Sequence, residues 1–288
     1  MWISDKWESY TLLDAANGKR YEDWGGYTLV RPDPQVIWQG DDSAWKSDAV
    51  YKRSKSGGGA WNKNTLPESW QIPYGDLTFN IKAFSFKHTG LFPEQATNWD
   101  FMRSLIKSAK EKDPYREIRV LNLFAYTGGA TIACAKEGAK VTHVDSSRGM
   151  VTWANENAAS SNIDRENTRW MVDDCMKFVK KEIRREKKYE GIVLDPPSYG
   201  RGPSGEIWKL EDNIHDLLKE LSNLLSDEPL FLILNSYTTG LQSGVLTYLM
   251  STALEKYKPQ IESDELGLPV KSTGLVLPCG CCSRAVFK

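Results

Sequence analysis

The sequence predicts an α/β protein: a doubly wound, mostly parallel seven-stranded sheet over residues 96–288, preceded by a small antiparallel β domain over residues 1–95. Three observations carry this. From about Thr97 onward, apolar runs of strand length alternate with helical segments. Before that point, short β-type runs are separated by Gly, Pro and Asp turns. Eight of the eleven tryptophans fall between Trp2 and Trp99, so the two parts differ in composition as well as in rhythm.

In the first part, Tyr27–Arg31, Gln35–Trp38, Ala49–Arg53 and Leu77–Lys82 read as strands. The last alternates apolar and polar residues, as a half-buried strand should. Gly57-Gly58-Gly59, flanked by Lys52, Arg53, Lys55 and Lys63, reads as a mobile hairpin loop. In the second part, Asn98–Lys110 is an amphipathic helix that ends before Pro114. Arg119–Phe124 is a compact apolar strand, followed by a Gly turn and a helix from about Ala130. Lys140–Val144 and Thr168–Val172 are the next strands, each leading into a helix, 147–159 and then 176–187. Gly191–Leu194, Leu230–Asn235, Ile261–Asp264 and Arg284–Phe287 complete the sheet, with a helix at Leu210–Leu225.

Bulk properties exclude little. Of the 288 residues, 40% are hydrophobic and 26% charged, the profile of a globular domain. No apolar run approaches the roughly 20 residues that span a bilayer, and no secretory or transit segment stands out, so a cytoplasmic location is expected. A net charge of −1 neither requires nor forbids a nucleic-acid partner, which local basic patches would have to hold. Five cysteines in a chain without a leader read as reduced thiols. The Cys279-Gly280-Cys281-Cys282 cluster lacks the two-residue spacer of a metal knuckle, so no metal is expected.

Open α/β sheets bind ligands outside the carboxyl ends of their strands. After the first parallel strand comes Phe124-Ala125-Tyr126-Thr127-Gly128-Gly129, where adjacent glycines let backbone approach a ligand and open a helix. After the second comes Asp145-Ser146, a carboxylate placed to accept from both ribose hydroxyls, or, more plainly, a helix cap. After the third comes Asp173-Asp174, for an adenine amino group or again for capping. The joint order suits an adenine-nucleoside cofactor, while the full G-x-G-x-x-G pattern of a nicotinamide site is absent.

After the fourth strand stands Asp195-Pro196-Pro197-Ser198-Tyr199. The prolines fix the backbone, so that their carbonyls and the Asp195 side chain are expected as rigid acceptors, and Tyr199 offers a π face for a planar base. Lys87-His88-Thr89-Gly90-Leu91-Phe92-Pro93-Glu94-Gln95, Leu121–Gly129, Asp145, Asp174-Cys175-Met176-Lys177-Phe178 and Leu194–Ser198 together resemble the class I S-adenosylmethionine-dependent methyltransferases related to bacterial large-subunit ribosomal RNA cytosine-C5 and guanine-N7 enzymes. The resemblance spans roughly residues 79–288 and implies a Rossmann-like methyltransferase fold with S-adenosylmethionine as cofactor. It places Thr89, Phe92 and Gln95 at the methionine end, Asp145 at the ribose and Asp174 near the adenine, with Asp195, Pro196, Pro197 and Tyr199 at the reaction.

Two departures qualify it. The PUA domain that precedes many relatives is not expected in this chain. Cytosine-C5 transfer needs a thiolate nucleophile, and the two places where relatives carry it hold Ser198 and Asn235-Ser236-Tyr237-Thr238. A nitrogen acceptor needs none. The expected substrate is therefore a base of ribosomal RNA methylated at nitrogen, contacted by Ser198, Tyr199, Arg201, Lys55 and Trp61, with Lys209 a weaker candidate. The cationic helix Lys177–Lys188 reads as a solvated face, its Glu182 and Glu186 interleaved. His88 is a candidate polar contact, whereas His143 and His215 read as structural. A small-molecule or protein acceptor, a non-catalytic RNA- or cofactor-binding module, and a homodimer stay open.

Overall fold

The computed structural model describes residues 1–54, 58–63, 65–83, 88–202, 205–238 and 240–287, with Lys63 as backbone only. The chain divides into Met1–Ala96 with Leu266–Cys279, and Thr97–Glu265 with Gly280–Lys288.

The first unit is built from short strands punctuated by glycine turns. Its strands are β1 (Trp2–Ile3), β2 (Tyr10–Ala16), β3 (Lys19–Trp24), β4 (Thr28–Pro32), β5 (Ala49–Arg53), β6 (Gly59–Lys63), β7 (Trp70–Tyr74) and β8 (Leu77–Ile81). Strands β2 to β6 form one sheet in sequence order, and β7 and β8 a separate hairpin. Asn17-Gly18 and Gly25-Gly26 all have positive φ, as two-residue hairpin turns require. The five-stranded sheet is antiparallel except for β4 and β5, which pair in parallel. Strand β8 buries alternate residues, Leu77, Phe79 and Ile81, as its pattern demands.

Gln35–Trp38, expected as a strand, is not one. Pro34 and the Asp33 side chain, which accepts from Gln35 N–H at 2.8 Å, turn the chain there. The carbonyls of Val36 and Trp38 instead receive Gly18 and Asn17 N–H groups. Buried charge also runs through this unit. Arg31 forks onto Glu22 at 2.6 and 2.7 Å, and Tyr10 donates to the same carboxylate at 2.9 Å. The returning segment joins it: Leu266 and Gly267 pair in parallel with β1, and Ser272 donates to Asp14 at 2.6 Å.

The second unit follows the alternation read from the sequence. In order it holds α1 (Ala96–Lys112), β9 (Arg119–Leu123), α2 (Gly129–Lys136), β10 (Lys140–Asp145), α3 (Arg148–Ser160), β11 (Thr168–Val172), α4 (Cys175–Arg184), β12 (Gly191–Leu194), β13 (Tyr199–Arg201), β14 (Ile207–Lys209), α5 (Leu210–Ser222), β15 (Phe231–Ser236), α6 (Ser243–Ala253), β16 (Gln260–Pro269) and β17 (Val276–Val286). The sheet order is β1-β16-β17-β15-β12-β9-β10-β11, eight strands where seven were expected. Strands β15, β12, β9, β10 and β11 are parallel neighbours, and β17 runs antiparallel to β15. The central strands are apolar on both faces, as a sheet covered on both sides requires. Ile192, Leu194, Leu232 and Leu234 pack with Phe178, Val179, Leu217, Leu218 and Leu221 in one core. The closing strands β16 and β17 run to ten and eleven residues, well beyond the short runs expected, and cross into the first unit.

Candidate active site

The parallel strands end together, and the loops leaving β9, β10, β11 and β12 carry the candidate residues. The first of these loops is strained. Phe124 and Tyr126 hold φ of 53° and 49°, the left-handed region that costs a non-glycine residue about 1–2 kcal/mol. Three hydrogen bonds hold it there: Phe124 N–H to Cys175 Sγ at 3.3 Å, Ala125 N–H to the Val144 carbonyl at 3.1 Å, and Tyr126 N–H to Asp145 Oδ2 at 2.9 Å. Asp145 Oδ1 accepts from Ser147 N–H at 2.8 Å. Burial pushes the Asp145 carboxyl above the usual aspartate range, and the two backbone N–H groups pull against that rise. Each carboxylate oxygen keeps further acceptor capacity, so the group could take two neighbouring hydroxyls.

Packing also requires the adjacent glycines. Gly128 caps α2 with φ of 85°, and a Cβ on it would lie 3.0 Å from Ala154. A Cβ on Gly129 would lie 2.6 Å from the Trp99 ring. Thr127 is buried, its carbonyl accepting from Asn157 at 2.9 Å. Ser147, not Ser146, caps α3, and Ser146 is exposed.

Both acids after β11 have local partners. Asp174 caps α4 by accepting from Lys177 N–H at 2.8 Å. Asp173 pairs with Lys181 at 2.6 Å, and its backbone N–H donates to the Asp145 carbonyl at 3.1 Å. Beside them Val172 is exposed, an apolar face at the strand end.

Asp195 leaves β12 half-buried, its N–H reaching the Leu123 carbonyl at 3.4 Å. One of the two proline carbonyls already accepts a hydrogen bond within the chain. Trp208 donates its indole N–H to the Pro197 carbonyl at 2.7 Å, and its ring meets Phe124 with centroids 4.9 Å apart. Ser198 accepts from the Thr238 hydroxyl at 2.6 Å. Tyr199 and Arg201 are exposed on the β13–β14 hairpin, with Arg201 Nε donating to the Tyr199 hydroxyl at 3.4 Å. Sequence reasoning did not find this hairpin or Trp208.

It also missed the scaffold behind the loop. Asn98 donates to Asn235 Oδ1 at 3.0 Å and accepts from Arg284 Nε at 2.9 Å, while Asn235 Nδ2 reaches the Leu194 carbonyl at 3.4 Å. Cys282, opposite Asn235 in the ladder, is buried here, and burial pushes its thiol up to about 12. Burial raises Cys175 likewise. His143 is buried in β10, its Nδ1 paired with Thr131 at 3.0 Å, and burial lowers it to about 3. Asn122 donates to the same Thr131 hydroxyl at 2.9 Å. His215 lies in α5, with Nε2 3.4 Å from the Thr252 hydroxyl.

In the first unit, Thr89 is fully buried and its hydroxyl has no hydrogen-bond partner among the described residues, Phe92 meets His88 at 5.2 Å, and Gln95 closes a short 3-10 turn, Pro93–Gln95. The Pro93 carbonyl accepts from both Ser4 and Trp7, at 2.8 and 2.9 Å. Trp61 sits half-buried with its ring edge-on to Tyr51, and Lys55 and the Gly57 end of its loop lie outside the described residues. Of the clustered cysteines, Cys279 lies 3.6 Å from Arg20 and Cys281 is half-buried. Among the described residues no group of His, Cys, Asp and Glu could hold a metal ion, and no helix is long and apolar enough to cross a membrane.

The second unit thus offers a half-buried carboxylate for paired hydroxyls, an apolar strand end for a planar ring, and a proline-bearing loop beyond them, all of which fit an adenosine cofactor. Comparisons with known proteins agree. A family model described as S-adenosylmethionine-dependent methyltransferase matches residues 47–243. A crystal structure of a SAM-dependent methyltransferase from Agrobacterium tumefaciens superposes with TM-score 0.92 at 33% identity, covering 99% of this chain and 93% of that one. A Streptococcus mutans protein shares the fold at TM-score 0.74 and 19% identity, over 98% of this chain and 76% of that one. The ribosomal RNA large subunit methyltransferase K/L of Shewanella frigidimarina is 33% identical over 151 residues, which is 51% of this chain and 20% of the relative. The chain spans about a sixth to a third of the length of such curated relatives. By family model and by fold, this chain belongs to the S-adenosylmethionine-dependent methyltransferases.

Proposed function

We propose that this methyltransferase acts on a base of RNA, with large-subunit ribosomal RNA as its substrate and a ring or exocyclic nitrogen as the methyl acceptor. The observation that carries the reading is the Asp195–Tyr199 loop, which has rigid backbone, a carboxylate and an exposed aromatic ring but no ionisable thiol. Ser198 stands where a nucleophile would be needed. Cys282, a thiol behind the loop, is held neutral by burial. Relatives named as ribosomal RNA large subunit methyltransferases support the choice of acceptor.

S-adenosylmethionine supplies a methyl group bound to positively charged sulfur. A nitrogen lone pair forms the new bond to that carbon while the carbon–sulfur bond breaks, a displacement that needs alignment at about 3–3.5 Å and little else. In this reading Asp145 accepts from the ribose hydroxyls, while Val172, Asp173 and Asp174 flank the adenine. The loop residues Phe124 to Gly128 border the cofactor. Where an exocyclic amino group reacts, Asp195 accepts a hydrogen bond from it and takes its proton, and Tyr199 stacks on a base of the bound RNA. The test is mass spectrometry of ribosomal RNA nucleosides from a strain lacking the gene. One N-methylated nucleoside should vanish and return on complementation. Loss of 5-methylcytidine instead would overturn the nitrogen assignment, and loss of no nucleoside would overturn the RNA assignment.

A further inference from the structure

The hairpin that follows the reaction loop has two unlike faces. Its register sets Tyr199 opposite Lys209, Gly200 opposite Trp208 and Arg201 opposite Ile207. Because side chains alternate along a strand, Gly200 and Trp208 share one face while Tyr199, Arg201, Ile207 and Lys209 share the other. The first face is packed. A Cβ on Gly200 would lie 3.5 Å from the Pro197 ring, and Trp208 is engaged with Pro197 and Phe124. All four residues of the second face are exposed, Tyr199 and Ile207 each by more than half.

That second face carries a specific set of groups. An aromatic ring and an aliphatic side chain sit beside a guanidinium and an ammonium, with no carboxylate among the four. Glu206, the acid nearest the strand, is engaged by Lys177 of α4. Among the described residues Lys209 has only Asp212, at 3.8 Å, with both side chains more than half exposed. Such an exposed pair contributes little and yields to a stronger anion. Phosphates complement the cations, and a base suits the two flat or apolar side chains between them.

We infer that the outward face of the β13–β14 hairpin is an RNA-contact surface, on which Tyr199 and Ile207 cover a base and Arg201 and Lys209 hold the phosphates flanking it. This rests on RNA being the substrate. The packed inner face fixes the surface to the reaction loop through Pro197, so that a strand bound outside is held in register with the base presented to Asp195.

The test uses the whole protein and a fluorescein-labelled, mixed-sequence single-stranded RNA of about 16 nucleotides, read by anisotropy between about 50 and 200 mM salt. The double variant Arg201→Ala/Lys209→Ala should weaken binding at least about tenfold. Its slope of log affinity against log salt should flatten by about 1.4, or about 0.7 for each lost phosphate contact on a single strand. Lys180→Ala/Arg184→Ala removes the same charge from exposed positions of α4 and should change affinity less than about twofold. S-adenosylmethionine affinity, measured by calorimetry, should stay unchanged in both variants, which confirms that they fold. If the protein binds the RNA but the hairpin variant loses no more than the α4 variant, the hairpin surface is refuted and the RNA reading stands. If the unaltered protein binds no RNA at any salt, both fall together.

Discussion

Replacing Asp145 with alanine probes the strained loop and the cofactor together. The carboxylate takes N–H groups from Tyr126 at 2.9 Å and Ser147 at 2.8 Å, so truncation leaves two donors unpaired. It also frees a tyrosine held in the left-handed region, whose strain of about 1–2 kcal/mol the hydrogen bond helps to offset. A hydrogen bond to a charged group is worth about 1.5–3 kcal/mol. Loss of the ribose contact should therefore raise the Kd for S-adenosylmethionine about tenfold to a hundredfold, at about 1.4 kcal/mol per tenfold. Calorimetry on Asp145→Ala, with the exposed Ser146→Ala as control, reads this directly. The pH dependence has a definite sign. Binding needs the carboxylate, whose pKa burial raises, so affinity should climb as pH rises through that raised value and be level above it. An Asp145→Ala protein that melts cooperatively yet binds the cofactor within about twofold of the original would refute the assignment.

Trp208→Phe keeps a ring against Phe124 but loses the bond to the Pro197 carbonyl, worth about 1 kcal/mol net. Trp208→Ala loses both. Hydrogen–deuterium exchange over residues 195–209 should quicken modestly in the first and strongly in the second, and equal exchange would show that Trp208 does not hold the loop. Cys282→Ser and Cys175→Ser should each keep methylation of large-subunit ribosomal RNA, and RNA containing 5-fluorocytidine should trap no covalent adduct, which denaturing gels would reveal. His143, lowered to about 3 by burial, leaves the unfolded chain to take up one more proton as pH falls below about 6.5. Stability should then drop by up to about 1.4 kcal/mol per pH unit toward pH 3. Urea titrations of His143→Gln should show a shallower fall.

The parallel sheet was legible because its strands are buried on both faces. Runs such as Ile192-Val193-Leu194 and Phe231-Leu232-Ile233-Leu234 have no other simple reading. The first unit was harder. Strand β3 carries Arg20 and Glu22, and both are held in ion pairs that break the apolar alternation. Strand β17 contains Pro278 and Gly280, residues that a local pattern treats as breaks. At the site, the acids at strand ends were found from their order alone. Trp208 was not, since a lone tryptophan between Glu206 and Lys209 carries no period. The Asn98, Asn235 and Arg284 network joins three distant stretches of chain, and only the folded sheet brings them together.

The return of residues 266–279 to the first unit bears on how the protein is made. Trp2 and Ile3 pair with Leu266 and Gly267, Leu12 bridges to Val270, and Arg20 meets Cys279. A ribosome must therefore add about 170 further residues after Ala96 before these partners exist. At roughly 5–20 residues per second, that leaves the amino-terminal strands without them for on the order of ten to thirty seconds. During that interval β1 and the edge of β2 are open to whatever else can pair with them. A nascent chain stalled before Leu266 should thus be the form that chaperones and proteases find first.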